Sequence, residues 1–222
     1  MITSERSVMR VIGGTAKGRR LATLRTIALR PTPDRVREAL FNILGRRMID
    51  ARVLDLYAGS GAIGLEALSR GAQGVVFVEA HEPACRLIEK NLDLCRLRER
   101  AMVWRGDVLK ALTALQAEGQ RFDLIFLDPP YRTPLAEDTL GRLGDSLLLA
   151  PDGLVVAEHF FKRSLQDQYG QLTRVRVARS GDVALSFYQA ASEGSQGVNG
   201  AMIKFSLPPF GKGGVRGDFV TH

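Results

Sequence analysis

The sequence predicts a single α/β domain with a mostly parallel sheet covered by helices on both faces. Between residues 51 and 160, short apolar runs alternate regularly with segments of helical periodicity. Such alternation is typical of parallel strands joined by right-handed helical crossovers, and the runs are nearly continuous in apolar residues, like strands buried on both faces. The 222 residues are enough for one such domain and do not require two.

Two elements are predicted before this alternation begins. Residues 9–24 alternate loosely around glycine turns, which predicts a small β-hairpin or ribbon. The clearest helix start lies in residues 30–48. Thr32 can cap this helix, Pro33 suits the first helical position, and Asp34 suits the positive end of the helix dipole.

The alternating region then supplies five strands and four helices. The predicted strands cover residues 51–58, 74–80, 101–107, 122–128 and 153–160. The predicted helices between them cover residues 62–70, 82 to about 97, 108–117 and 135–149. Two further strands, 172–180 and 182–189, are separated by the hairpin-type turn Ser180-Gly181-Asp182, so we expect the sheet to end in an antiparallel pair.

The expected domain covers residues 9–189, with an N-terminal extension (9–50) and a core (51–189). Residues 1–8 are expected to be a leader. Residues 190–222 contain seven glycines and few apolar anchors, so we expect a disordered tail.

No apolar run is long enough to span a membrane, and the N-terminus has no export signal, so we expect a cytoplasmic protein. Cys85 and Cys95 lie ten residues apart in one predicted helix, where they point different ways, so we expect both to be reduced. The three histidines show no metal-ligand spacing, and no metal is expected.

All of the excess positive charge lies in the first 50 residues. They contain 11 Lys and Arg against 4 Asp and Glu, whereas the remaining 172 residues contain 20 of each. A solvated basic face is the plain interpretation. The segment also has spaced glycines and a helix start, however, so we expect it to be folded. A folded basic region on a neutral domain is typical of a polyanion-binding surface, and we expect nucleic acid.

The stretch DLYAGSGAIG (55–64) follows the first strand of the alternating region and opens its first helix. Gly59, Gly61 and Gly64 match the pattern G-x-G-x-x-G, and Glu79 ends the next strand, about where a ribose-binding acid belongs. A tight strand-to-helix turn alone would also use glycine. The position favours a nucleotide-like ligand.

Three acidic residues narrow the choice of ligand. Asp55 at the mouth of the loop would repel a pyrophosphate and attract a sulfonium or amino group, which predicts S-adenosylmethionine, a cofactor without phosphate. Glu79 can accept hydrogen bonds from both ribose hydroxyls. Asp107 can accept from the adenine amino group, although it could equally cap the helix that begins at Val108. All three follow or end strands, at the edge where open α/β sheets bind ligands.

The strand FDLIFLD is followed by two prolines and a tyrosine. An amino nitrogen on a nucleobase is a poor nucleophile because its lone pair is delocalised into the ring. The Asp128 carboxylate and a main-chain carbonyl, such as that of Pro129, could accept both amino hydrogens, while Pro130 adds no competing N–H. Tyr131 offers a face on which a base can stack. A Pro-Pro turn with a packed tyrosine is the bland alternative, but the neighbouring glycine loop favours a methyl-acceptor site.

Together, DLYAGSGAIG, VFVEA, GDV and FDLIFLDPPY resemble class I S-adenosylmethionine-dependent amino-methyltransferases. The flanking stretches MRVIGGTAKGRRL, RPTPDRVREALFNIL, LSRGA and SGDVALSFYQ are similar to the bacterial RsmD family, and the similarity runs over about residues 9–189. The resemblance implies a seven-stranded Rossmann-like sheet with its last strand antiparallel. It also implies methylation of the exocyclic N2 of a guanine in small-subunit (16S) ribosomal RNA, held by the basic extension.

The motifs and the resemblance together give the expected site residues. The methyl-acceptor site would consist of Asp128, Pro129, Pro130 and Tyr131. The cofactor would be held by Asp55, Tyr57, Ala58, Gly59, Ser60, Gly61, Glu79, Ala80, Asp107, Val108 and Asp128. The RNA-facing cations would be Arg10, Lys17, Arg19, Arg20, Arg30, Arg35 and Arg37. We expect a monomer that acts on ribosomal RNA within a small-subunit particle.

Three other functions stay open from the sequence. The D-P-P-Y motif could serve methylation of a DNA amino group, although the chain has no separate target-recognition domain. The glycine pattern could serve a nucleotide-dependent oxidoreductase, against which Asp55 and the D-P-P-Y motif argue. A non-catalytic module that kept the fold would bind RNA without methyl transfer.

Overall fold

The computed structural model describes residues 9–23, 33–131 and 133–190. Its strands are β1 Arg52–Leu56, β2 Gly74–Glu79, β3 Ala101–Arg105, β4 Phe122–Leu127, β5 Leu149–Phe160, β6 Gln168–Tyr169, β7 Leu172–Ser180 and β8 Val183–Ala190. Its α-helices are α1 Asp34–Leu44, α2 Ala62–Ser69, α3 Glu82–Cys95, α4 Val108–Ala117 and α5 Leu135–Gly144. Short 3-10 turns cover Gly45–Met48 and Arg98–Arg100. The predicted alternation of strands and helices is confirmed.

The strands form one sheet in the order β3-β2-β1-β4-β5-β8-β7-β6. The first five strands are mutually parallel, whereas β8 is antiparallel to both β5 and β7. The sequence predicted seven strands, and the additional one is β6, whose two residues pair with the first two residues of β7. Within the described residues, the rest of the outer edge of β7 has no partner strand.

The five parallel strands all end at the same edge of the sheet. The last paired residues of β1 and β4 are Leu56 and Leu127, which lie opposite each other. β8 begins at Val183 opposite Phe160, the last residue of β5, so the turn between β7 and β8 lies at this edge as well. The loops that follow the strands therefore converge there.

Apolar side chains form one core layer on each face of the sheet. Helices α1, α2 and α3 pack on one face, together with residues from the N-terminal ribbon, 9–23. Helices α4 and α5 pack on the other face. Because β1 and β2 are covered on both sides, nearly all of their side chains are buried, as the continuous apolar runs predict.

The N-terminal ribbon is folded onto helix α2. The fully buried Glu66 accepts hydrogen bonds from the backbone N–H groups of Ile12 and Gly13, each at 2.7 Å, and forms an ion pair with Arg70 at 2.7 Å. Gly14 has a φ of 74°, and a side chain there would lie 1.8 Å from the Ser69 carbonyl oxygen. The predicted ribbon is therefore present, with an antiparallel backbone bridge between its two arms.

The end of helix α5 differs from the sequence prediction. Helix α5 ends at Gly144, where the predicted helix continued to Leu149. A side chain at Gly144 would lie 1.9 Å from the Tyr169 carbonyl oxygen, so the segment of β6 packs directly against this helix end. The Leu148 carbonyl already accepts from the Phe122 N–H, and the chain has therefore left the helix to join the sheet.

At the ends of the chain, the predicted leader (1–8) and residues 191–222 of the predicted tail lie outside the described residues. Ala190, which the tail prediction included, instead ends β8. Thr32 also lies outside them, and Pro33 takes the N-cap position of α1 with no side-chain hydrogen bond.

The two cysteines are free thiols buried within α3, which confirms that they do not pair with each other. Among the described helices, none combines the length and the apolar character needed to cross a membrane.

Replacement of Gly64 in α2 by alanine should destabilise the fold. A Cβ atom at this position would lie 2.2 Å from the buried Phe77 ring, so helix and strand would have to separate. We expect a loss of about 2 kcal/mol or more in the free energy of unfolding, measured by urea denaturation.

The matched control is Gly141→Ala in α5. A Cβ atom there would meet no atom within 4 Å, so the same substitution should stabilise the protein by about 0.5–1 kcal/mol. Equal effects of the two substitutions would show that α2 does not depend on the close approach at Gly64.

Candidate active site

The predicted site residues come together at the carboxyl edge of the sheet. The glycine loop follows β1, Glu79 ends β2, Asp107 lies two residues beyond β3, and Asp128 follows β4 directly. Parallel pairing of β1 with both β2 and β4 places the glycine loop between Glu79 and Asp128. The sequence-based expectation that these groups share one edge is confirmed.

The glycine loop is a tight turn that leads into the N-terminus of α2. Tyr57, Gly59 and Gly61 all have positive φ values, of 58°, 55° and 76°. Gly61 is the N-cap of α2, and its N–H donates to the Ala58 carbonyl at 2.7 Å. Ser60 lies in the same turn, half-buried. These positive φ values explain why glycine occupies positions 59 and 61, because residues with a side chain adopt positive φ only at a cost in conformational energy.

Tyr57 is the one residue with positive φ in this turn that is not glycine, and a side-chain hydrogen bond holds it in place. Its hydroxyl is hydrogen-bonded to the buried Thr139 on α5 at 2.8 Å. Burial raises the pKa of the Tyr57 phenol, so the neutral hydroxyl is favoured. Sequence reasoning named Tyr57 but missed Thr139, whose role depends on a contact between residues 82 positions apart.

Glu79, at the end of β2, holds the glycine loop through hydrogen bonds. It is almost fully buried, and its two carboxylate oxygens accept from the N–H groups of Gly59 and His81, each at 2.9 Å. Each carboxylate oxygen has a second lone pair that these bonds leave unused. The neighbouring Ala80 is exposed.

The sequence prediction for Asp55 differs from the structure. The prediction was a charged carboxylate at the mouth of the loop, but the Asp55 side chain is buried and its Oδ2 accepts from the Gly64 N–H at 3.0 Å. Burial raises the pKa of Asp55 to about 8, and the nearby Glu79 contributes to the rise. Asp55 therefore ties β1 to α2, and burial disfavours its ionised form.

Asp107 is an exposed N-cap. Its Oδ1 accepts from the Lys110 N–H at 3.0 Å, at the start of the helix whose first residue is the buried Val108. The capping role that the sequence left open is thus present in the structure.

The D-P-P-Y segment forms a short, well-anchored loop after β4. Asp128 is half-buried, Pro129 is buried and Pro130 is exposed. The Pro130 carbonyl accepts from both the N–H and the hydroxyl of Thr133, at 3.2 and 2.8 Å. The Tyr131 hydroxyl donates to the buried Glu158 on β5 at 2.8 Å. The loop is therefore fixed at both its second proline and its tyrosine.

Arg163 holds the same loop from the segment that follows β5. It donates to the carbonyl oxygens of Tyr131 and Thr133, at 2.9 and 2.6 Å, and forms an ion pair with Glu137 on α5 at 2.7 Å. Sequence reasoning missed both Arg163 and Glu158. Neither belongs to a recognisable motif, and each contacts the loop from more than 25 positions away.

The predicted RNA-facing cations differ in how far the structure exposes them. Exposed positions are occupied by Arg10, Lys17, Arg20 and Arg35. Arg19 is half-buried and donates to the Leu94 carbonyl at the end of α3, at 2.7 Å. Arg30 lies outside the described residues.

For Arg37 the prediction of an RNA contact is wrong. Its side chain is fully buried, where it donates to the Arg10 carbonyl at 2.8 Å and pairs with Asp34 at 2.7 Å. Helical spacing explains the error, because Arg37 shares its face of α1 with the buried Phe41 and Leu44. It cannot contact RNA from this position.

Across the described ranges, no group of three or more His, Cys, Asp and Glu side chains is placed to hold a metal ion. His159 is buried, with its ring nitrogens near the Phe160 carbonyl and the Ser186 hydroxyl, at 3.1 and 2.9 Å.

Comparison with known proteins identifies the family. Residues 9–189 match the family described as Conserved hypothetical protein 95. This chain belongs to that family. The match covers the ribbon, the glycine loop and the D-P-P-Y loop, and the resemblance inferred from the motifs is confirmed.

Individual relatives of this family member are similar over nearly their whole length. Ribosomal RNA small subunit methyltransferase D of Escherichia coli K12 is 37% identical over 186 residues, which cover 84% of this chain and 92% of the relative. YlbH of Bacillus subtilis is 38% identical over 181 residues, which cover 82% and 98%. The solved structure of yhhF from Escherichia coli is 34% identical with a TM-score of 0.72, over 82% of this chain and 98% of that one.

Asp55→Asn should remove a pH dependence of stability. The pKa of Asp55 is about 8 in the folded chain and about 3.9 in an unfolded one. Between these values the folded state keeps a proton that the unfolded state has released, so the free energy of unfolding falls as the pH rises from about 4 to about 8. Asparagine keeps an acceptor oxygen for the Gly64 N–H but does not titrate, so the variant should lack this decline.

Urea unfolding between about pH 5 and pH 8 measures this effect, which reaches about 1.4 kcal/mol per pH unit at most. Asp93→Asn, at an exposed position on α3, provides the control and should keep the wild-type slope. A wild-type slope in Asp55→Asn as well would mean that Asp55 is ionised in the folded protein.

Proposed function

We propose that this chain uses S-adenosylmethionine to methylate the exocyclic N2 amino group of a guanine in small-subunit ribosomal RNA. One observation carries the proposal. A rigid D-P-P-Y loop lies at the carboxyl end of β4, directly beside the glycine loop that follows β1. Membership of a family whose relatives include a named ribosomal RNA methyltransferase supports the reaction class and the substrate. Guanine and its N2 position rest on the motif resemblance.

The side chains at the carboxyl edge of the sheet fit S-adenosylmethionine better than a ligand with a pyrophosphate. The loop from Asp55 to Gly64 contains no lysine or arginine that would neutralise a pyrophosphate, and the acidic side chains of Glu79 and Asp107 lie on the adjoining strand ends. The positive φ values of Gly59 and Gly61 let the backbone approach a ligand closely. When bound, this cofactor supplies a methyl group activated by a sulfonium.

Glu79 is the proposed acceptor for the ribose hydroxyls, through the lone pairs that the Gly59 and His81 N–H groups leave unused. Asp107 is the proposed acceptor for the adenine amino group, through the oxygen that does not cap α4. The remaining loop residues, together with Ala80 and Val108, would form the walls of this site.

The D-P-P-Y residues are proposed to hold the amino group that receives the methyl. The Asp128 carboxylate and the Pro129 carbonyl would accept its two hydrogens, and Tyr131 would provide a stacking face for the base. Glu158 and Arg163 already fix both ends of Tyr131, at its hydroxyl and at its carbonyl. Such preorganisation reduces the cost of aligning the base with the methyl donor.

The N-terminal extension is proposed to bind RNA through its exposed cations. The side chains of Arg10, Lys17, Arg20 and Arg35 reach the surface, and the described residues offer them no ion pair. Arg19 can add to this surface only in part, because one of its nitrogens serves the end of α3. A monomer in the cytoplasm that acts on RNA within a small-subunit particle completes the proposal.

Asp128→Ala should reduce methyl transfer by a factor of about 100 or more, because the amino group of the base would lose a charged acceptor. Asp128→Asn keeps one acceptor oxygen and should lose less. Transfer of labelled methyl groups to small-subunit ribosomal RNA measures both variants.

Calorimetry with S-adenosylhomocysteine provides the control for these variants. Binding should stay largely unchanged in both, which would separate loss of the acceptor from loss of the cofactor site. Full methyl transfer by Asp128→Ala would remove this residue from the mechanism.

Mass mapping of ribosomal RNA from a strain that lacks this gene should reveal one fragment that has lost one methyl group. Adding the purified protein and S-adenosylmethionine should restore it, at N2 of a guanine. Protein-free RNA and isolated small-subunit particles, tested in parallel, would show which of them is the substrate. Restoration at another base, or methylation of DNA instead, would refute the proposed target.

A further inference from the structure

A second group of exposed cations lies away from the ribbon, around Phe161. The Arg179 guanidinium carbon is 3.6 Å from the centroid of the Phe161 ring, and the Lys162 ammonium is 5.8 Å from it. Both cations are exposed, and Phe161 is half-buried. We call Phe161, Lys162 and Arg179, together with Arg35, the Phe161 patch.

Backbone pairing places the Phe161 patch at the edge of the candidate active site. Phe161 directly follows β5, and its N–H donates to the Asp182 carbonyl in the turn between β7 and β8 at 3.0 Å. Two residues further on, Arg163 donates to the Tyr131 carbonyl. One short segment therefore connects the patch to the D-P-P-Y loop.

Arg35 joins this patch to the N-terminal extension. A side chain at Gly181 would lie 2.5 Å from an Arg35 guanidinium nitrogen, so α1 presents this cation directly against the turn between β7 and β8. Arg35 is exposed, and the acid nearest to it along α1, Asp34, is already paired with Arg37. The exposed cations of the extension and of the Phe161 patch thus form one surface along the edge of the sheet that carries the D-P-P-Y loop.

Among the described residues, the charges of the patch have no ion-pair partner. In the part of the chain that the structure describes, Arg35, Lys162 and Arg179 form no salt bridge, whereas eight other ion pairs are present. The Arg179 Nε donates to the Gly181 carbonyl at 2.9 Å, which orients the guanidinium plane over the ring. Its terminal nitrogens have no partner among the described residues, and they are the groups that bind a phosphate in a bidentate manner. Asp182 is the acid in this turn, and its side chain is exposed.

We propose that the Phe161 patch binds the phosphates and one base of the RNA strand that flanks the target nucleotide. Cations with a flat stacking surface are the combination that holds single-stranded nucleic acid: Lys162 and the edge of the Arg179 guanidinium can pair with phosphates, and a base can stack on the outer face of the guanidinium plane that the Phe161 ring supports. The inference rests on the proposed function, because it names the part of the RNA that this same site contacts. A target base in the D-P-P-Y loop would bring its neighbouring phosphates to this edge of the sheet.

The test compares two double variants of the full-length chain. Lys162→Gln with Arg179→Gln removes two charges from the patch. Lys90→Gln with Arg96→Gln removes the same charge from exposed positions on α3 and directly after it, outside the N-terminal extension. Binding of a small-subunit ribosomal RNA transcript is measured against salt concentration. The patch variant should reduce the slope of log affinity against log salt by about 1.4, corresponding to about 0.7 for each lost contact with a single strand, and the control should not.

Phe161→Leu removes the ring that supports the Arg179 guanidinium, and with it the stacking platform, without changing the charge. It should weaken RNA binding by a factor of about 10 while keeping the wild-type salt slope. Circular dichroism and S-adenosylhomocysteine binding should match the wild type for every variant, which shows that the fold and the cofactor site are intact.

The outcomes separate this proposal from the proposed function. If the wild type neither binds nor methylates the RNA, the proposed function fails and the patch loses its ligand. If the wild type methylates RNA while the patch variant keeps the slope of the control, the patch proposal alone is overturned. If the patch variant loses binding to assembled particles but keeps binding to protein-free RNA, the patch contacts a ribosomal protein, and the patch proposal is overturned as well.

Discussion

The close approach of α2 to the sheet is the constraint on which the rest of the site depends. At Gly64 the helix lies against the Phe77 ring with no room for a side chain. This approach brings the Gly64 N–H within reach of Asp55, and it fixes the direction in which the glycine loop enters the helix. All eight residues of α2 are buried, because its other side is covered by the ribbon.

The same helix therefore couples two surfaces with different tasks. Towards the sheet it supports the loop proposed to hold the cofactor, and away from the sheet its residue Glu66 holds the backbone of the ribbon. Asn91 on α3 strengthens this coupling, since its side chain bonds both the Ser60 carbonyl in the glycine loop and the backbone of Ala22. A shift of the ribbon would be transmitted to the glycine loop through these buried polar contacts.

Local pattern was sufficient to predict most of the fold, because strand and helix periods depend on which side chains face the core. The same periodicity placed the glycine loop and the D-P-P-Y loop at one edge. It failed for Arg37, where a charged residue lies on the buried face of α1 and is compensated by Asp34 and a ribbon carbonyl. It also failed for Arg163, since the bonds of this side chain to the D-P-P-Y loop arise only when β4 and β5 are paired. Ionisation of Asp55 was unpredictable for a similar reason, because its pKa depends on burial rather than on its neighbours in sequence.

The outer edge of β7 has a consequence for how copies of this chain meet each other. Beyond the two residues paired with β6, this strand has no partner among the described residues and exposes Val175 and Val177. An open edge with apolar side chains is a template for strand pairing between molecules. Arginines at 174, 176 and 179 interrupt the apolar residues, and the register shifts between Arg174 and Arg176. Like charges facing each other across two such edges would repel, and a bulge disrupts a continuous ladder. The strand therefore carries its own protection against edge-to-edge aggregation.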